Sequence, residues 1–372
     1  MQLKSLELRG YRNYDSLKLA TEAGVNIFIG PNAQGKTNLI EAIHVLALTK
    51  SHRTSKDKEL IGWNATTASI HADMERKLGS VNLELMLSAQ GKKAKINGLE
   101  QRKLSSFVGT LNVVLFAPED LDIVKGAPGV RRRFMDMEIG QVHPGYLYDM
   151  QQYQKIVQQR NNYLKSTDIH RASMEMLEVW NEQLATYGVK MMKRRQRFLV
   201  QLQKWAEKIH AGITAGSEHL TVSYKPSFGT SNDIESEDEP SLFQQFMLKL
   251  TQAKEQEFRR GQTLAGPHRD DLSFEINGKD VQSFGSQGQQ RTAALSLKLA
   301  ELELMNEEIG EYPLLLLDDV LSELDQTRQT QLIETFQSRV QTFITTTGLE
   351  SVNMSRLKDA AIFHVRDGQL LR

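Results

Sequence analysis

Cysteine is absent from the 372 residues. Its absence excludes disulfide frameworks, thiolate zinc sites, iron–sulfur clusters and cysteine nucleophiles. No apolar run approaches the ~18 residues of a membrane span. The opening segment, Met1-Gln-Leu-Lys-Ser-Leu-Glu-Leu-Arg9, carries charges where a secretory leader needs an apolar stretch. The expectation is a cytoplasmic protein with no membrane association. Net charge is missing too. Lys and Arg number 46 and so do Asp and Glu, so bulk charge argues neither for nor against a polyanionic partner, and only a local patch could attract one. No internal repeat is visible. What is present, 40% hydrophobic and 25% charged residues, is an ordinary globular composition in a chain long enough for two or three lobes.

The pattern of apolar residues divides the chain. Leu6/Leu8, Leu17/Leu19 and Val81, Leu83, Leu85, Leu87 alternate with polar neighbours, as half-buried strands do. Val25–Ile29 and Val113–Phe116 are short unbroken apolar runs, as in fully buried strands. Asn97-Gly98 and Asn277-Gly278 predict tight hairpin turns, because both residues tolerate positive φ. From Tyr146 the period changes. Leu177, Trp180, Leu184, Tyr187, Met191, Phe198, Leu202, Trp205 and Ile209 follow steps of three and four, with one step missing at Arg194/Arg195. This predicts a helix of roughly 35–40 residues, about 55–60 Å long, with Tyr146–Leu164 as its antiparallel partner. The acidic segment Asp233–Pro240 reads as a solvated loop. Strand signals return at Leu272–Ile276, Leu314–Leu317, Val340–Thr345 and Ala361–Val365. The expected organisation is one α/β domain split by a helical insertion: residues 1–121, an arm at 122–260, and 261–372.

Gly30-Pro31-Asn32-Ala33-Gln34-Gly35-Lys36-Thr37 fits the phosphate-loop pattern GxxxxGK[ST], between a strand-like run and the helix-like Asn38–Leu46. Glycines let backbone N–H groups converge on phosphate oxygens, and the helix start adds positive potential. Lys36 is the candidate for the β- and γ-phosphates of ATP, and Thr37 for Mg²⁺. Leu314–Leu317 followed by Asp318-Asp319 is the Walker B arrangement. Asp318 is the second candidate Mg²⁺ ligand, and Asp319 is the candidate for orienting water. Most of the chain separates Lys36 from Asp318, as in ABC-type ATPases with an inserted arm. Gly285-Ser286-Gln-Gly288-Gln289 precedes a predicted helix and resembles the ABC signature. There Ser286, Gly288 and Gln289 would contact ATP held by a second copy, making ATP the adhesive of a homodimer. Ser322-Glu-Leu-Asp325 resembles the D-loop that crosses the same interface. Two departures from the ABC pattern, Asp319 where Glu is usual and Thr345-Thr-Thr347 where a His is usual, predict slow hydrolysis.

Together these motifs resemble the RecF family of recombination mediators, relatives of structural-maintenance-of-chromosomes ATPases. The resemblance spans nearly the whole chain. Arg9-Gly-Tyr-Arg-Asn-Tyr14, Ser51-His-Arg-Thr54, Phe116–Leu121, Val124–Gly129, Arg131–Phe134, Ala265–Leu272 and Leu314–Asp325 carry it. It implies an ABC-type P-loop ATPase head with a mixed sheet, split by an antiparallel helix pair. It further implies ATP-dependent dimerisation on DNA and weak DNA-stimulated hydrolysis. It implies work with RecO and RecR at single-strand gaps, in replication restart and in SOS induction. In this family the Asp-Asp pair is expected, which accounts for Asp319. Candidate DNA contacts are Arg53 and Lys56 after the first helix, Arg131, Arg132 and Arg133, and Arg194 and Arg195 on the long helix. No base-reading motif accompanies them, so backbone contacts are expected. Gly266-Pro-His-Arg-Asp-Asp271 marks the family and reads as a structural turn. An ABC-type scaffold or transporter subunit not acting on DNA is the alternative, which the long arm and the Arg-rich clusters disfavour.

Overall fold

The computed structural model describes the chain except for residues 167–168, 170–172, 322–323, 326–327, 331, 334–338, 349–359 and 372. The elements run in this order. β1 (Gln2–Tyr11), β2 (Tyr14–Ala20), β3 (Val25–Ile29) and α1 (Lys36–Leu48) come first. They are followed by β4 (Thr67–Arg76), β5 (Gly79–Ser88), β6 (Gly91–Ile96), β7 (Leu99–Glu100) and β8 (Val113–Phe116). Then come α2 (Leu121–Lys125), α3 (Pro128–Val142), α4 (Pro144–Ser166), α5 (Met174–Ile213), β9 (Leu220–Lys225), α6 (Ser231–Ser236), α7 (Glu239–Arg260), β10 (Asp271–Ile276), β11 (Lys279–Asp280) and α8 (Val281–Phe284). α9 (Gln287–Ile309), β12 (Leu314–Asp318), β13 (Thr342–Thr346), β14 (Ala361–Arg366) and β15 (Gln369–Leu371) complete the order. Two compact units result, one of residues 1–121 with 294–372 and one of residues 122–293.

The first unit contains two sheets. The antiparallel sheet runs β2-β1-β4-β5-β6-β7, and the other runs β15-β14-β3-β13-β12-β8. In the latter β14, β3, β13, β12 and β8 are parallel, with β15 antiparallel at its edge. The apolar runs Val25–Ile29 and Leu314–Leu317 lie in the inner parallel strands β3 and β12, all five residues of each buried, and Val113–Phe116 is the edge strand β8. That is why they read as continuous rather than alternating. The helix α1 touches β5 of the antiparallel sheet and β8, β12 and β13 of the parallel one. Covered on both sides, it buries Leu39, Ile40, Ile43 and Leu46 completely. Truncating any one of these to Ala would cost about 2–5 kcal/mol. The Asn97-Gly98 turn links the paired β6 and β7, with φ of 51° and 78°.

In the second unit α5 is 40 residues long and α4 packs along it. The predicted missing step is filled by Arg195, which is buried in the stripe between Met191 and Phe198. Two expectations are corrected. Strand β10 pairs with β9, not with a sheet of the first unit, and so residues 261–293 belong with the insertion. The insertion is therefore helical plus a three-stranded sheet, β11-β10-β9. The acidic segment is not a loop either. Thr230 and Asp233 form a capping box on α6, and the Asp238 side chain caps α7. Carboxylates at two helix N-termini favour both starts. Among the described residues, no helix is long and apolar enough to cross a membrane.

Candidate functional site

The phosphate loop, residues 30–35, joins β3 to α1. Gly30 lies against β14, where a Cβ would overlap the Val365 carbonyl oxygen. Gly35 has φ of 115°, and a Cβ there would come within 3.0 Å of Asn13 and Tyr14. Only glycine serves at both places. The loop is braced from outside. Tyr14 Oη donates to the Gly35 carbonyl at 3.0 Å, and Asn13 Nδ2 to that of Gln34 at 3.1 Å. The backbone N–H of Gly368 reaches the same Gln34 carbonyl at 3.1 Å, and that of Asp367 reaches Gln34 Oε1 at 2.6 Å. Asn38 Nδ2 donates to Asn13 Oδ1 at 2.8 Å. Lys36 curls back onto the carbonyls of Gly30 and Pro31, at 2.7 and 2.8 Å. Burial lowers the Lys36 ammonium below its ordinary value, against the opposing pull of Asp319 and Asp318.

The two halves of the predicted metal pair meet. Thr37 Oγ1 donates to Asp318 Oδ1 at 2.9 Å. Asp318 is the last residue of β12, and its register neighbour on β13 is Thr345. Thr345 Oγ1 donates to the same Asp318 oxygen at 2.7 Å and accepts from the Asp319 backbone N–H at 3.0 Å. Asp319 itself has φ of 54°, which a non-glycine residue seldom adopts. Among the described residues no cluster of three His, Asp or Glu side chains could hold a metal. An oxygen pair of one hydroxyl and one carboxylate suits Mg²⁺, which completes its octahedron with phosphate oxygens and water.

A charged group that the sequence reading did not single out lies behind the loop. Glu41, one turn into α1, is completely buried. Arg12 grips both its oxygens at 2.7 Å, Ser51 Oγ donates to Oε1 at 2.6 Å, and Arg53 stands 3.8 Å away. Burial alone would raise the carboxyl. Arg12, Ser51 and Arg53 outweigh it and hold Glu41 below the usual carboxylate range. Ser51 Oγ also accepts the N–H groups of Arg53 and Thr54, fixing the loop after α1. The Arg9–Tyr14 and Ser51–Thr54 runs thus meet on α1. The signal available in the sequence was a carboxylate on the apolar helix that follows a phosphate loop.

The other predicted residues fall as follows. Ser286 is exposed at the start of α9, and it exchanges reciprocal bonds with Gln289: Gln289 N–H to Ser286 Oγ at 3.2 Å and Ser286 N–H to Gln289 Oε1 at 2.9 Å. Gly288 lies in the first turn of that helix. Ser322 lies outside the described residues. Asp325 is exposed and pairs with Arg328. Of the basic candidates, Lys56 is exposed beside Glu59, Arg53 donates to Asn38 Oδ1 at 2.9 Å, Arg133 is exposed and Arg194 is half-buried. Arg132 donates to the Asp270 carbonyl at 2.8 Å. Arg131 and Arg195 are corrected from DNA contacts to core residues. Arg131 is 3% exposed and holds Asp271 at 2.6 and 2.9 Å. Arg195 is 1% exposed and bonds Tyr146, Asp136 and the Pro267 carbonyl.

The Gly266–Asp271 run ties these arginines together. Gly266 has φ of 116°, and a Cβ there would overlap the Tyr153 hydroxyl and lie 2.6 Å from Phe246. His268 Nδ1 meets Tyr153 Oη at 2.8 Å, and Nε2 meets the Thr263 carbonyl at 3.1 Å. Asp270 accepts from Tyr224 and from the Ser227 N–H. The motif is a buried polar knot in the second unit.

A strand–phosphate-loop–helix joined through Thr37 to an Asp at the end of the next parallel strand but one, in a head split by an inserted arm, defines an ABC-type P-loop ATPase head. The family model for the RecF/RecN/SMC N-terminal domain matches residues 2–369. "DNA replication and repair protein RecF" of Bacillus subtilis (strain 168) is 52% identical over 373 residues, covering 100% of both chains. Its namesake in Shouchella clausii (strain KSM-K16) is 54% identical over 375 residues with the same coverage. A solved structure of "the recombination mediator protein RecF-ATPrS in RecFOR pathway" is 34% identical with a TM-score of 0.91, covering 99% of this chain and 97% of that one. An Smc head domain derived from Pyrococcus furiosus, at 16% identity and a TM-score of 0.55, covers 99% of this chain and 95% of that one and shares the fold. The chain belongs to the RecF family of DNA replication and repair proteins.

Proposed function

We propose that the chain is an ATP-gated DNA-binding protein of recombinational repair in the cytoplasm. ATP occupies Gly30–Asn38, with Lys36 on the β- and γ-phosphates and Mg²⁺ between Thr37 and Asp318. Asp319 orients the attacking water, and hydrolysis is slow and stimulated by DNA. A second copy caps the triphosphate through Ser286, Gly288 and Gln289, with Ser322 and Asp325 at the same interface. The dimer then holds DNA by its backbone, using Arg53, Lys56, Arg132, Arg133 and Arg194. By the same reading it acts with RecO and RecR at single-strand gaps, in replication restart and in SOS induction. Support for the pathway comes from the relatives named for ATP and for RecFOR. The observation that carries the ATPase reading is the 2.9 Å bond from Thr37 to Asp318, across 281 residues of sequence.

Sedimentation with and without ATP and short DNA duplexes, at two salt concentrations, tests it. ATP should double the mass of the wild type, and salt should weaken the DNA complex steeply. Ser286→Arg should still bind ATP yet remain monomeric. A Ser286→Arg variant that dimerised normally with ATP would refute the capping by a second copy.

A further inference from the structure

We propose that Thr345 is a positioning residue of the ATPase site, holding the two carboxylate-bearing residues at the end of β12 through one hydroxyl. The inference rests on the ATPase reading above and adds a residue to it.

Thr345 is 1% exposed on β13, directly beside Asp318 in the parallel ladder. A hydroxyl has one proton to give and two lone pairs to accept with. Here the proton points at Asp318 Oδ1, 2.7 Å away. The Leu317 carbonyl, at 3.5 Å, is the poorer acceptor. A lone pair takes the Asp319 N–H at 3.0 Å. Thr345 therefore fixes the carboxylate of one residue and the backbone of the next. The second task matters because Asp319 sits at φ of 54°, in the left-handed region. That backbone sets where the Asp319 carboxylate points, and a tied N–H keeps it from relaxing. The first task matters because Thr37 also donates to Asp318 Oδ1. A cation taken between Thr37 and Asp318 replaces that bond. The bond from Thr345 needs no cation and keeps the carboxylate aimed. Groups that orient a metal ligand in this way change affinity or rate by about 10- to 100-fold when removed.

The test uses the full chain with Thr345→Val, which keeps the shape and deletes both bonds, Thr345→Ser, which keeps the hydroxyl, and Asp318→Asn as reference. Five quantities are read: ATP affinity in EDTA, kcat and KM for Mg²⁺-ATP, Mn²⁺ bound in the presence of ATP by electron paramagnetic resonance, and melting temperature. The valine variant should lose about 10- to 100-fold in kcat and about tenfold in Mn²⁺ affinity, with ATP affinity in EDTA within about threefold of wild type. The serine variant should recover kcat and Mn²⁺ binding. Should the valine variant fail to fold, Thr345→Ala read against Thr345→Ser makes the same comparison. If valine matches wild type in kcat and Mn²⁺ affinity while Asp318→Asn loses both, the positioning role is wrong and the ATPase reading stands. If serine falls as far as valine, the effect is packing, and the proposal fails. If Asp318→Asn itself keeps wild-type hydrolysis and Mn²⁺ binding, the ATPase reading falls, and this inference with it.

Discussion

Replacing Arg12 with Ala leaves the Glu41 carboxylate in a site with no solvent exposure. Two charge-assisted hydrogen bonds of 2.7 Å disappear, and what stays is the Ser51 hydroxyl and the Arg53 guanidinium 3.8 Å off. Breaking a buried pair on one side costs about 3–5 kcal/mol, because the surviving charge is cut off from water and loses its closest counter-charge. The double variant Arg12→Met/Glu41→Leu removes both charges and should cost less than Arg12→Ala alone. The effect has a pH signature. In the wild type Glu41 is held below its ordinary 4.5, so its contribution is present above that value and lost as pH falls through the folded-state pKa. In Arg12→Ala, burial loses its chief opponent and the carboxyl titrates higher than in the wild type. Its penalty therefore eases as pH falls. The gap between the two proteins should be widest at neutral pH and close on acidification. Because the chain has two compact units, a global melting curve mixes them. Amide exchange in α1, read by mass spectrometry, reports the relevant unit, and protection there should drop by about two to four orders of magnitude. Wild-type protection in Arg12→Ala at neutral pH, or a double variant worse than the single one, would refute the reasoning.

Two further predictions concern the polar knot. Gly266→Ala combines a left-handed backbone with overlap against Tyr153 and Phe246. It should destabilise the second unit by about 3 kcal/mol or more, measurable as lost exchange protection in α4 and α7. His268 is pushed down to about 4 by burial. Its unfolded form takes a proton first, so the stability it lends is complete above about 6.5 and lost as pH falls toward 4. The loss is about 3 kcal/mol in all. In His268→Gln this part of the acid sensitivity, followed by urea unfolding between pH 7 and 4, should vanish.

How much of this could be read from residues alone depends on the range of the interactions. The buried strands β3 and β12 are legible because parallel strands covered on both faces are apolar throughout. The stripe of α5 is legible because its packing repeats every turn. The same stripe explains the main error. Its gap at Arg194/Arg195 looks like a solvated cationic patch, since arginines are rarely interior. Yet Arg195 keeps the spacing from Met191 to Phe198, and Asp136, Tyr146, Asp270 and the Pro267 carbonyl, all remote in sequence, make its burial tolerable. Strand β10 was legible as a strand and illegible as to its sheet, because pairing with Leu220–Lys225 leaves no local mark. At the site, the pattern of the phosphate loop and Asp318 is local and visible. Its supports, Glu41 with Arg12 and Thr345 beneath Asp318, depend on tertiary neighbours.

The placing of β3 bears on how the protein is made. Both its neighbours, β13 and β14, come from the last tenth or so of the sequence, and the turn at Asp367-Gly368 bonds Gln34 directly. On the ribosome, then, the phosphate loop emerges early with its braces Asn13 and Tyr14, and its strand β3 lacks both sheet neighbours until nearly the whole polypeptide has been synthesised. A nascent chain therefore lacks part of the frame that shapes this loop until its final strands are in place.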